Sequence, residues 1–75
     1  MITIDFNKKT PIYKQLVEQL TRSIKSGELK PGDRLPTERE LAERLDVARG
    51  TVKRAYKELS DNNIIEVIHG SSSYV

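Results

Sequence analysis

Seventy-five residues with a formal net charge of +2 and 36% apolar side chains make one small domain, whose core is too thin for a deep active site. With no cysteine there is no disulfide framework and no thiolate metal site, which is compatible with a reducing cytoplasm. No apolar run approaches the roughly 20 residues of a membrane span, and no basic-then-apolar leader opens the chain, so a cytoplasmic protein without a membrane partner is expected.

Along the chain, Ile2, Ile4 and Phe6 alternate with Thr3 and Asp5, the pattern of a short strand or extended arm. With the polar loop that follows, this makes an arm over residues 1–10. Thr10 is placed to cap a helix with Pro11 at its first position, where the missing N–H costs nothing. Ile12, Leu16, Leu20 and Ile24, with Val17 beside them, form an apolar stripe in four-residue steps, and Tyr13 is read as core on the same stripe. Gly27 caps the end of this helix. Glu28 to Pro36 is a turn segment: Pro31-Gly32 has type II chemistry, Leu29 and Leu35 flank it, and Arg34-Leu35 is a candidate short strand.

Leu35 to Leu59 carries the clearest signals. Thr37 and Glu40 have the spacing of a capping box, in which hydroxyl and carboxylate each accept an otherwise orphan N–H. Leu41, Ala42 and Leu45 form one apolar face, Asp46 takes a corner where a left-handed backbone is tolerated, and Val52, Ala55, Tyr56 and Leu59 form a second. Two short helices with a tight corner make a helix-turn-helix. At about 100° per residue, Gly50, Lys53, Arg54 and Lys57 fall opposite Val52, with Arg49 at the flank. From Arg49 to Lys57 there are four basic side chains and no acid. Such a face suits the DNA major groove, because Lys and Arg neutralise phosphates and Arg bonds a guanine edge at two points. A solvated basic face on an ordinary core helix is the plain alternative; the helix-turn-helix ahead of it favours the groove.

Ser60 to Asn63 break the helix, and Asn62 or Asn63 is suited to a left-handed cap. Ile64 to Ile68 is a β-rich run, residues 69–73 are a turn, and Tyr74-Val75 resumes β character. A helix-turn-helix followed by a hairpin is a winged helix: mainly α, three helices plus a wing, over residues 11–75.

PIYKQ at Pro11, ELKPGDRLP from Glu28, TERELA from Thr37, RGTVKRAY from Arg49 and HGSSSYV from His69 come in the order and spacing of the GntR family of bacterial transcription regulators. The chain resembles that family's N-terminal DNA-binding domain, and the opening ITIDF with Ala55-Tyr56 is most similar to its YtrA-like branch. The resemblance implies that a recognition helix, about residues 49–61, enters the major groove. It implies that Arg39 meets the DNA backbone or a base, that Arg49 is the principal base reader, and that Gly50 and Thr51 lie against phosphates. His69 and Gly70 would form a wing tip within residues 64–75. Lys53 stands where the family usually has Arg, and Ala48 where it has Ser or Thr. Ser72 replaces a frequent Gly, and Glu66, Val67 and Ile68 stand where many members are basic.

The function this implies is sequence-specific double-stranded DNA binding at an inverted-repeat operator, as a transcriptional repressor. A homodimer and a small-molecule effector would be supplied by a C-terminal part outside this chain. A winged helix used as a protein–protein module is the alternative, motivated by the non-basic Glu66-Val67-Ile68. No cofactor is expected, and the lone His69 has no clustered partners for a metal. Glu38, Glu40 and Glu43 lie close together, yet capping and the helix dipole account for Glu40 and Glu38, so no enzyme is expected.

Overall fold

The computed structural model describes residues 2–68 and 72–75. Its elements are α1 (Ile12–Lys25), β1 (Arg34–Leu35), α2 (Glu38–Leu45), α3 (Arg49–Asp61), β2 (Glu66–Ile68) and β3 (Ser72–Tyr74). The strands form one antiparallel sheet in the order β1-β3-β2, with Leu35 opposite Ser73 and Ser73 opposite Val67. This is the expected winged helix-turn-helix.

The core is where the apolar stripes meet. Leu16 and Leu20 of α1, Leu35 of β1, Leu41 and Ala42 of α2, and Val52, Ala55, Tyr56 and Leu59 of α3 are buried together with Ile65. Burying a Leu or Val side chain stabilises by roughly 1.5–3 kcal/mol, so this cluster carries most of the stability. Tyr56 is the largest member. Its ring is buried, and its hydroxyl donates to the Pro36 carbonyl at 2.7 Å, tying α3 to the start of α2.

Four local expectations are corrected. α1 starts at Ile12, not Pro11: Pro11 is itself the N-cap at φ −54°, ψ 147°, with no side-chain cap. The extended ψ keeps Pro11 outside the helix, and the Thr10 carbonyl is bound by Gln15 Nε2 at 2.9 Å. At the other end Ser26 is the C-cap, and Gly27 follows it with φ +84°, a conformation that disfavours any Cβ. Ile64 and Ile65 are not strand. Their N–H groups donate to the Leu59 carbonyl at 2.9 and 3.4 Å, after Asn63 has turned left-handed at φ 59°, and Ile65 plugs the core. Finally, Ser72 and Ser73 belong to β3 and not to a turn, because β3 is bonded on both sides while Val75 is anchored outside it, through Gly32 N–H and Asp33 C=O.

The residues before α1 form an arm and not a strand of the sheet. Gln19 bonds both backbone groups of Thr3, at 2.8 and 2.6 Å, and Gln15 bonds both of Asp5, at 2.9 and 3.0 Å. Each amide side chain thus replaces the partner that a neighbouring strand would offer. Ile2 and Ile4 pack against the core, whereas Phe6 is 61% exposed because the chain bends at Asp5, whose carboxylate accepts the Asn7 N–H.

Burial, then the nearby Glu38 carboxylate, holds the Tyr56 phenol well above its ordinary value of 10.0. Neutral Tyr56 therefore contributes stability that is complete below the unfolded value and is lost as pH rises above it. Near neutral pH, Tyr56→Phe should be less stable by about 1 kcal/mol, since the Pro36 carbonyl loses its donor. Above the unfolded value the parent should lose up to about 1.4 kcal/mol per pH unit that the variant does not. Urea unfolding at both pH values should show the gap narrowing; a constant gap would mean Tyr56 does not titrate in this way.

Candidate nucleic-acid interface

α2 begins on its capping box. Thr37 Oγ1 accepts the Glu40 N–H at 3.1 Å and Glu40 Oε1 accepts the Thr37 N–H at 2.9 Å. The Thr37 backbone N–H, and after it the Thr37 hydroxyl, hold the Glu40 carboxyl below its ordinary value, so its half of the cap is intact near neutral pH and is lost as acid protonates it. At the other end Asp46 is left-handed at φ 56°, ψ 49°, and the Val47 N–H reaches back to the Ala42 carbonyl at 3.1 Å. Ala48 then stands at the N-cap of α3 in an extended conformation with no side-chain bond to the first turn.

The corner sets α3 with its basic face outward. Arg49 is its first residue, and Arg49 Nε lies 3.9 Å from Glu38 Oε1 of α2. Arg39 projects from α2 and pairs with Glu43 at 3.3 Å; a shallow groove lined by Arg39, Ala42, Glu43, Asp46, Val47 and Arg49 brings these two arginines to one side of the corner. Lys53 is exposed and has no carboxylate partner among the described residues. Lys57 pairs with Asp61 at 2.9 Å. Arg54 lies at the opposite edge, its Cζ 3.8 Å above the centroid of the Tyr13 ring. Solvated ion pairs of this kind contribute about 0–1 kcal/mol each, so they orient the cations more than they stabilise the fold.

Gly50 stands in the first turn of α3. A Cβ there would meet nothing within 4 Å inside the protein. The fold gives no reason for this glycine, and the open space lies beside the basic face. Thr51 is half-buried next to it. His69 and Gly70 lie outside the described residues. Of the wing, β2 presents Glu66, with Val67 and Ile68 41% and 43% exposed.

Two contacts have no signal in the sequence. Glu38 is explained there as a first-turn acid, yet it also faces Arg49. Tyr13, expected as core, is half-buried and packs against the core while its ring also carries Arg54. Spacing within one helix cannot show either pairing, since each joins two helices. Among the described residues there is no group of three His, Cys, Asp or Glu side chains that could hold a metal, and no helix is long and apolar enough to cross a membrane.

A basic helix face beside a tight corner and a three-stranded wing matches one family of known proteins. The model described as bacterial regulatory proteins, gntR family, covers residues 12–75. The chain belongs to the GntR family. It is 44% identical over 75 residues to the transcriptional repressor YtrA of Bacillus subtilis (strain 168), covering all of this chain and 58% of that protein. The solved structure of YtrA from Sulfolobus acidocaldarius, a GntR-family transcription factor, superposes with a TM-score of 0.91 at 48% identity, covering 97% of this chain and 78% of that one. These two likenesses put the chain on the YtrA-like branch. The AraR DNA-binding domain, solved in complex with the operator ORE1, has a TM-score of 0.82 at 25% identity over all of this chain and 92% of its own. The family fold thus spans nearly the whole chain, while the chain spans little more than half of its Bacillus relative.

The uncapped start of α3 is open to improvement. Ala48→Ser should stabilise the GntR domain by about 1 kcal/mol through a new bond to the first-turn N–H groups. Urea denaturation measures this, and an unchanged midpoint would show that the serine does not cap.

Proposed function

We propose that this chain is the sequence-specific double-stranded DNA-binding part of a bacterial transcriptional repressor acting in the cytoplasm. The observation that carries the reading is the outward basic face of α3, with Lys53, Arg54 and Lys57 exposed and Arg49 held at its start. The Bacillus relative, a transcriptional repressor, and the operator-bound AraR domain support it.

In this reading α3 lies in the major groove. Arg49 is the base reader, oriented by Glu38, and Arg39 reaches the same groove or its backbone from α2. Lys53 and Lys57 neutralise phosphates; Lys53 offers a point charge without the planar two-point contact of an arginine. The Gly50 surface lets a phosphate approach closely, with the Thr51 hydroxyl beside it. His69 and Gly70 are assigned to the wing tip by the family resemblance alone. The chemistry is binding and not catalysis. One copy reads only a few base pairs, so a usable operator is an inverted repeat with half-sites about 10 base pairs apart, bound by a dimer. The dimer contacts and the effector site belong to a part of the regulator beyond this chain.

A second reading, a protein-interaction module, is favoured by the exposed Val67 and Ile68 beside Glu66. Duplex binding separates the two. Under the DNA reading, anisotropy titrations should show affinity falling steeply with salt. Arg49→Ala should cost about 1–3 kcal/mol and relax base preference, and Lys53→Ala should weaken all sequences alike and reduce the salt slope by about 1. Arg49→Ala with Lys53→Ala binding duplex DNA like the parent would place the interface elsewhere, and a parent that ignores DNA at low salt would favour the protein module.

A further inference from the structure

Arg54 is held differently from its neighbours. Arg39, Arg49 and Lys57 each face a carboxylate, that of Glu43, Glu38 and Asp61 respectively. Arg54 has no such partner among the described residues. Its guanidinium lies on the Tyr13 ring instead, 3.8 Å from the centroid. The distinction matters chemically. A carboxylate occupies the N–H edge of a guanidinium and cancels its charge. A ring face holds the flat side, leaves the charge uncancelled and leaves the N–H edge open to an anion.

The surroundings point to where that anion sits. Arg54 and Tyr13 border an open cleft between the start of α1 and the first turns of α3, lined also by Pro11, Ile12, Gly50 and Thr51. Among the described residues, no acidic side chain lines it. Gly50 contributes open surface, because nothing inside the protein would meet a Cβ there. Lys8 and Lys9 come shortly before Pro11, where this wall of the cleft begins. A cleft with one clamped arginine, two hydroxyl-bearing residues and, among the described residues, no carboxylate fits a phosphodiester.

We infer that Tyr13 is a positioning residue for DNA binding: its ring holds Arg54 at the cleft between α1 and α3, where Arg54 takes a backbone phosphate flanking the groove that α3 occupies. This rests on the DNA reading above and adds a backbone clamp that joins α1 to the helix-turn-helix. Arg54 stands at the α1 edge of the basic face while Arg49 and Lys53 lie toward α2, so the duplex is gripped on both sides of α3. The clamp carries no base information, because a phosphate is the same at every step.

The test is the salt dependence of binding to a mixed-sequence duplex, read by fluorescence anisotropy. Arg54→Gln should lower the slope of log affinity against log salt by about 0.9, the loss of one phosphate contact. Tyr13→Leu should weaken binding about three- to tenfold at low salt, whereas Tyr13→Phe, which keeps the ring face, should bind like the parent. Pentafluorophenylalanine in place of Tyr13 keeps a ring of similar shape but inverts its electrostatics, and should bind as Tyr13→Leu does. In an Arg54→Gln background, Tyr13→Leu should cause no further loss. The inference is overturned if the pentafluoro ring binds like the parent, or if Tyr13→Leu weakens binding equally with and without Arg54. Should Arg49→Ala lose affinity while every Tyr13 variant binds normally, the clamp fails and the DNA reading stands. A parent that does not bind the duplex overturns both.

Discussion

Between Leu45 and Arg49 the chain has to stop one helix, turn and start another within three residues, and it does so by placing Asp46 at φ 56°, ψ 49°. The left-handed region is open to few residues other than Gly, Asn and Asp. The turn lets the Val47 N–H return to the Ala42 carbonyl, and the small Ala42 side chain is buried at this junction. Everything downstream inherits that geometry. α3 packs between α1 and α2 with Val52, Ala55, Tyr56 and Leu59 inward, so its remaining face must point to solvent. Tyr56 locks the arrangement through the Pro36 carbonyl, and the Leu59 carbonyl starts the turn that places the sheet.

The basic face is therefore a by-product of where the corner sends the helix, and its cations differ in what holds them. Carboxylates on α2 and α3 hold Arg39, Arg49 and Lys57; a ring on α1 holds Arg54; nothing among the described residues holds Lys53. Holding a long side chain before binding reduces the rotamer entropy lost when it meets its partner. The first four have a partner within the protein, and Lys53 has none among the described residues.

What was legible in the sequence divides by range. The capping box at Thr37 and Glu40, the corner at Asp46, the left-handed Asn63 and the turn at Pro31-Gly32 all hold as expected, because each is closed by bonds within a few residues. The helical stripes held for the same reason, except at Ile12, which does not pack with the core. The start of α1 did not, since Thr10 is engaged by Gln15 five residues away. The limits of β2 and β3 moved because pairing on two sides, and not β propensity, decides where β3 runs. At the candidate interface the outward cations were readable from one helix's period. Their partners Glu38 and Tyr13 were not, since they come from other helices.

The arm before α1 has one more consequence. Gln15 and Gln19 grip the backbone groups of Asp5 and Thr3, not their side chains. Two residues of extended chain rise about 6.6 Å, and four residues of helix about 6 Å, so alternate residues of the arm stay in step with successive turns of α1. Because the grip ignores side-chain identity, position 3 is free to drift in evolution provided that it does not become proline, whereas Asp5 also holds the Asn7 N–H through its carboxylate. The constraint falls instead on the two glutamines and on the spacing. A one-residue insertion between Thr3 and Asp5 would break the step and turn Ile2 or Ile4 away from the core, whereas most replacements at Thr3 would pass unnoticed.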